Sequence, residues 1–577
     1  MKKKLIPAAV ALALITGAFV TRLSADDHDR DHDRHFEFRA GTLVLTRSTY
    51  VGYPSLIKTT GTPTALPPGC QTGPITITLL NGSTTTFTMP SASSGCGTAI
   101  ADGTYPTVFN NDSADGSFGV SSPIFLDNID TDGFLLDTLP IPSDRIVTSF
   151  SSKSELALNL STDGRSITFM GYRGGPGYPT APNLFDVSDS NTPGVIDPTN
   201  PVVSQYYRSV AEVDANGHLR ITEGNAYSGD NGRAAIKGDW LYYTVGNDNN
   251  GNLTKTQLTD VPTGTQIGLN LVNSTGAELL VPGQAPPPVP PDINKIGNFS
   301  ITQVIDPVTG HLYPTADKPG KDNNFRGLTI FDNTLYVTKG SGSNGINTVY
   351  QVGNAGTLPS GTTAELAALP ITIPPGFPTT LASAGATAIY PFGIWFANAT
   401  TLYVADEGDD CTAYSSTAPC TDILATGTPA AIAASIYAHA ANQKTAGLQK
   451  WVFDETTSLW NLVYTIQTGL NLGVPQTIPG YPTGINASTG LPWAPATDGL
   501  RNLTGRVNRD GTVTIWAVTS TVSGGGDQGA DPDQLVKVTD RLSATTLAAG
   551  DAVDQFVTIR AAKSGEVFRG VAFAPNK

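Results

Sequence analysis

Apolar residues alternate with polar ones in short bursts along this chain, and five bursts share one layout: an apolar strand, a tight polar turn, then a second apolar strand. The copies are Leu156–Tyr172, Ala234–Val245, Leu328–Thr338, Ile394–Ala405 and Val507–Thr519. Period-two alternation around turns such as Asp332-Asn333 and Arg509-Asp510-Gly511 is the mark of a β-hairpin. An isolated hairpin is marginal in water, so hairpins recurring along one chain imply units that bury one another. Further strands are expected at Gly41–Ser48, Ile75–Leu80 with Thr84–Thr88, Ile124–Leu126 with Phe134–Leu139, Ser209–Val213 with Leu219–Thr222, Thr348–Val352, Leu448–Phe453 with Leu462–Ile466, and Leu535–Val538. The Ala-rich patch Ala430–Gln449 is the one helix-friendly insertion.

This count suits an all-β propeller of about seven four-stranded blades with long loop insertions. A β-sandwich or pair of barrels is the competing all-β arrangement. The ends of the chain favour closure: Phe568-Arg569-Gly570-Val571 repeats Phe325-Arg326-Gly327-Leu328 and reads as an inner strand, while Gly41–Ser48 lacks a preceding mate. Pairing the two in one blade would close a ring and remove its edges.

Composition agrees. Of the 577 residues only 14% are charged, with 61 glycines and 42 prolines, which favours strands and turns. The N-terminus carries Lys2, Lys3 and Lys4, then an apolar run Leu5–Val20, then Leu23-Ser24-Ala25. That is the layout of a secretory signal peptide over 1–25, cut after Ala25, and it sends the protein to the periplasm or the medium. Residues 26–39 form a charged His/Asp-rich leader too polar to pack, and 40–577 are expected to be a single propeller domain, with Gly283–Pro291 an extended insertion within it. No later stretch is long and apolar enough to enter a bilayer. The formal charge of −15 disfavours nucleic acid and anionic membrane surfaces as partners. Four cysteines in two close pairs are expected to form Cys70–Cys96 and Cys411–Cys420 disulfides, since local pairing closes the shortest loops. No CxxC spacing occurs, so a thiolate metal cluster is not expected.

On a propeller, the loop leading into the innermost strand and the loop after the second strand share one face around the channel. Arg233, Arg326, Arg506 and Arg569 lie on the leading side of their hairpins. Guanidinium forks matched to carboxylate or phosphate would form a basic collar for an anionic ligand. The structural alternative is that each pairs with an acid of the next blade. Acidic loops fall on the same face: Asp406, Glu407, Asp409 and Asp410 in one, Asp527, Asp531 and Asp533 in another. Asp406, Glu407 and Asp527 are the candidate metal ligands, with Ca²⁺ the cation that such hard oxygens suit. Asn128–Gly133 has the form N-x-D-x-D-G, but position twelve is Leu139, so an EF-hand is not supported. No G-x-S-x-G occurs, and His218, His311 and His439 are the only histidines outside the leader, so a nucleophilic triad finds little support.

The stretches Val147–Tyr172, Asn324–Val352 and Leu491–Val538 resemble an uncharacterised family of secreted bacterial propeller-like proteins. The resemblance implies export and a propeller, and no activity or catalytic residue. More distantly the layout is similar to phytase-like and lactonase-like propellers, which work through channel metals, though none of their motifs is matched. The sequence therefore points to an extracellular protein binding a small molecule or polysaccharide at a loop-rich mouth. A metal-dependent hydrolase or lyase acting on an anionic substrate is the alternative.

Overall fold

A computed structural model describes residues 36–50, strand segments within 63–100, and 121–577 apart from 151–154, 174–191, 193–205, 225, 228–230, 248–268, 274–294, 299–323, 341–344, 362–364, 367–368, 381, 383–388, 487–489, 524–528 and 548–552. The signal segment, residues 26–35 of the leader, Cys70, Cys96 and Asp527 lie outside these residues; the end of the leader does pack, against the expectation, because Phe38 is buried and its N–H donates to Ala215 O at 2.9 Å.

Four of the five hairpins read from the sequence form the inner half of a four-stranded sheet, with consecutive strands pairing antiparallel outward, while Leu156–Tyr172 lies within a six-stranded one. Five sheets have four strands. Running outward from their inner strands, they begin at Gly232–Gly238, Phe325–Phe331, Pro391–Asn398, Ala496–Val507 and Glu566–Phe573. The last blade joins the two ends of the chain: Glu566–Phe573 pairs with Leu43–Thr49, which pairs with Ile124–Ile129 and through it with Leu135–Pro140. Leu43 sits opposite Phe573 and Thr49 opposite Glu566, the pairing expected from the sequence. A sixth sheet has six strands, running Leu219–Gly224, Arg208–Asp214, Ser166–Arg173, Ile146–Ser149 and Ser121–Ser122, with the short inner strand Asn159–Leu160 also on Ser166–Arg173. The described residues therefore form five regular four-stranded blades rather than about seven. Of two small two-stranded sheets, Gly73–Thr78 with Thr84–Met89 matches an expected strand pair, whereas Pro63–Leu66 with Gly97–Ile100 was not read from the sequence.

The core lies between blades. Alternating side chains of facing sheets interlock, as where Val337, Val352 and Leu328 pack with Ile236, Tyr243 and Val245 of the preceding blade. A second cluster joins Tyr403, Leu448 and Ile466 to Leu500, Ile515 and Val536. Both faces of the inner strands are buried, so they read as continuous apolar runs rather than strict alternation. The helix Pro429–Asn442 covers the first part of the expected Ala430–Gln449 patch, whose end belongs instead to the strand Gly447–Asp454; Thr428 caps the helix by accepting from the Ala431 N–H, and Pro429 stands at its first position. On its buried face Ile436 and Ala440 pack with Cys411, Ile423, Ala496 and Val522.

Candidate functional site: a collar of bulge-borne arginines

Five inner strands carry one extra residue relative to their partners, at corresponding points near the start of the hairpin. The bulges fall between Gly232 and Ala234, Phe325 and Leu328, Pro391 and Ile394, Leu500 and Leu503, and at Arg569 where Thr46 opposes Gly570 but Arg47 opposes Phe568. A bulge redirects a side chain out of the alternating pattern. Four of the five place an arginine there: Arg233, Arg326, Arg501 and Arg569, each between 4% and 6% exposed.

Neighbouring inner strands meet at these bulges. Arg233 Nη1 donates to Phe325 O at 2.9 Å and to the Asn324 side chain. A Cβ on Gly327 would strike Phe392 O, so the backbones approach closely only because that position is glycine. Asn502 plays the corresponding part in its own strand, its Oδ1 accepting from Val571 N at 2.7 Å and from Leu158 N at 3.4 Å. Ala157 bridges to Ala234.

Charges alternate along this row. Glu407, just past the strand Thr401–Asp406, sits between two guanidiniums: its Oε1 is 3.0 Å from Arg326 Nε and its Oε2 3.3 Å from Arg501 Nε. Asp533 follows, accepting from Phe568 N at 2.8 Å and lying in the fields of Arg569 and Arg501. Burial outweighs those arginines and pushes the Asp533 carboxyl up to about 7. Arg569 donates to Phe150 O at 2.6 Å and to Gly529 O. Arg501 Nη2 is buried and has no hydrogen-bond partner among the described residues.

Asp406 is fully buried, with Oδ2 accepting from Tyr390 N and Gln449 Nε2, both at 2.8 Å, and Oδ1 accepting from Gly408 N at 3.0 Å. Burial raises it to about 7. Asp498 beneath the same loop is raised well above the usual carboxylate range, first by burial and then by Asp410 and Asp409. Beside them His439 of the helix lies between Asp409, 2.8 Å from Nε2, and Asp422, 2.6 Å from Nδ1. The Asp409 hydrogen bond leads in raising the imidazole to about 9. Cys411 and Cys420 are bonded, as expected from the sequence.

Of the four arginines read from the sequence, Arg233, Arg326 and Arg569 come together here and Arg506 does not. Arg506 is exposed five residues beyond the bulge, donating to Asn508 Oδ1 at 3.3 Å with its guanidinium 5.5 Å from the Trp516 ring centre. Arg501 holds the corresponding position, and sequence reasoning missed it. The signal was Leu500-Arg501-Asn502-Leu503, a variant of Phe325-Arg326-Gly327-Leu328. Asp406 and Glu407 are both buried at the site, and Asn128 is committed to the fold, its Nδ2 donating to Thr42 Oγ1 at 2.6 Å and Leu43 O at 3.0 Å.

No family model matches this chain, and no curated protein matches it in sequence. Among solved structures it has a weak likeness to variants of the Synechocystis apocarotenoid oxygenase. Two of these are 9% and 10% identical with TM-scores of 0.21 and 0.20, covering 80% and 74% of this chain. The chain spans about 60% and 56% of those two structures. Such scores are too low for that enzyme's chemistry to carry over.

Proposed function

We propose that this is an exported propeller whose inner strands close into a ring, and that it binds a small anionic ligand, such as an acidic sugar unit of a polysaccharide, at the arginine collar. The observation that carries this reading is the Arg501 guanidinium: it is buried beside Arg326, the two share Glu407, and its Nη2 has no hydrogen-bond partner among the described residues. An anion would accept from that donor in a desolvated place, where a charge-assisted hydrogen bond is strong. The disulfide Cys411–Cys420 supports an oxidising compartment. Ca²⁺ at Asp406, Glu407 and Asp527 is the less favoured reading, because the cation would have to displace the amides on Asp406 and the guanidiniums on Glu407.

Calorimetric titration with galacturonate oligomers, sulfate and phosphate tests the proposal. Arg501→Lys, which keeps the charge but loses the second donor, should weaken binding at least about tenfold while leaving the fold intact. No heat from any anion, or equal affinity in Arg501→Lys, would refute it.

A further inference from the structure

Asp409, Cys411 and His439 each offer one ligand atom, and these atoms lie within 4.8 Å of one another. Cys411 is bonded to Cys420, so the sulfur of Cys420 arrives at the same place. As a disulfide the sulfurs are poor ligands, since metals take thiolate. We propose that the disulfide is the closed form of a tetrahedral Zn²⁺ site, and that reduction opens it to Cys411, Cys420, His439 and Asp409.

The donor set is two sulfurs, one imidazole nitrogen and one carboxylate oxygen, which suits zinc and excludes Ca²⁺ and Mg²⁺. His439 is already oriented for this role. Its Nε2 faces Asp409 at 2.8 Å, where the ion would enter, and its Nδ1 is held by Asp422 at 2.6 Å. A carboxylate on the far nitrogen is the usual outer partner of a metal-bound histidine. Cys411 is 3% exposed and Ile423, Ile436, Ala440, Ala496 and Val522 pack around it, so the ligands are presented from a rigid, largely dry wall. The eight residues between the two cysteines hide the site from any search for short CxxC spacing, and His439 comes from a separate helix.

The chemistry balances with an external thiol. Two thiol molecules give two electrons and two protons to the Cys411–Cys420 bond, leaving two cysteine thiols and one external disulfide. Zn²⁺ then displaces a proton from each thiol and the Nε2 proton of the imidazolium, while Asp409 exchanges its hydrogen bond with His439 for a bond to the metal. The bound unit carries one negative charge, and no redox change occurs at the ion. This inference is independent of the anion collar.

The probe is Co²⁺, which reports thiolate ligation by a charge-transfer absorption and tetrahedral geometry by its visible bands. The full-length protein is titrated oxidised, and again after reduction with a phosphine, which itself becomes the phosphine oxide using water. One equivalent of Co²⁺ should develop both absorptions in the reduced protein and neither in the oxidised one, and Zn²⁺ should bleach them. They should persist in Cys70→Ser/Cys96→Ser and vanish in Cys411→Ser/Cys420→Ser and in His439→Ala, with Asp422→Asn keeping the spectrum but losing about 10- to 100-fold in affinity. Absence of the bands in reduced wild type, equal uptake before reduction, or retention in folded His439→Ala, checked by circular dichroism, would overturn the proposal. The oxidised-against-reduced comparison needs no variant, so a misfolded mutant leaves the test intact.

Discussion

Replacing Glu407 with Gln should destabilise the fold by about 3–5 kcal/mol, the usual cost of removing one partner from a buried ion pair. The side chains are nearly solvent-free, Glu407 at 1% exposure against Arg326 at 7% and Arg501 at 5%, so water cannot take over the lost charge. One carboxylate serves two guanidiniums 3.0 and 3.3 Å away, and its neutralisation leaves two cations facing each other. The loss therefore belongs at the upper end of that range, and it should not equal the sum of the Arg326→Ala and Arg501→Ala losses. Urea unfolding should show a lower midpoint with an unchanged slope. Sulfate supplies a second reading, because a vacated carboxylate position between two guanidiniums is an anion site. At a concentration about 100 times its dissociation constant it should return about 2.7 kcal/mol to the variant. Sulfate also stabilises proteins by exclusion from their surfaces, so the relevant quantity is the gain in Glu407→Gln beyond that in wild type. A loss below about 1 kcal/mol, or equal sulfate gains in both proteins, would refute the reasoning.

Arg506, beyond the bulge of its strand, and Arg569, at the bulge of another, should separate cleanly: Arg506→Ala costs no more than about 1 kcal/mol, as for an exposed cation beside an aromatic ring, whereas Arg569→Ala costs about 1–3 kcal/mol by removing the donor to Phe150 O and Gly529 O. Equal urea midpoints for the two variants would show that the bulge position has no special burial. Stability should fall as pH rises from about 4 to about 7, because burial keeps a proton on Asp533 in the folded chain that the unfolded chain has released. The slope is about 1.4 kcal/mol per pH unit for each such group. Asp406, also raised to about 7, adds to it in the same window. Asp533→Asn should flatten urea-midpoint profiles across that window by one group's share, and an unchanged slope would contradict the assignment. Deleting 566–577 removes the inner strand that Leu43–Thr49 pairs with, so the truncated protein should aggregate on size-exclusion chromatography; a monomer with wild-type melting would argue against the shared terminal blade.

The hairpins were legible because each buries both strands around an unmistakable turn, and the terminal pairing was legible because Phe568–Val571 copies Phe325–Leu328. Blade number was not. The outer strand Ile371–Thr372 has only two residues, and the six-stranded sheet gathers pieces from 121 to 224, so strand count does not divide evenly by four. Arg506 was misplaced for a local reason. Gly505-Arg506 imitates the Arg-Gly bulge, but glycine is required there because a Cβ would meet the Trp395 ring at 2.7 Å. Arg501 was overlooked because Asn502 stands where glycine was expected and reaches the next strand through its side chain instead. The partnering of Glu407 by two arginines from strands far apart in sequence is a tertiary fact that no local spacing encodes.

The shared terminal blade has one more consequence. Ala574 N donates to Thr42 O at 2.9 Å, and Lys577 Nζ lies 2.8 Å from Glu37 Oε1, so the start and finish of the folded domain are neighbours. The point at which such a chain is cut is then a matter of genetic history rather than of architecture. A circular permutant that joins Lys577 to Glu37 through a few flexible residues, and opens instead at the exposed turn Asp332-Asn333, would present the same inner strands in a rotated order. The arginines would keep their neighbours, since their spacing is set by blades meeting side by side and not by which blade the ribosome makes first.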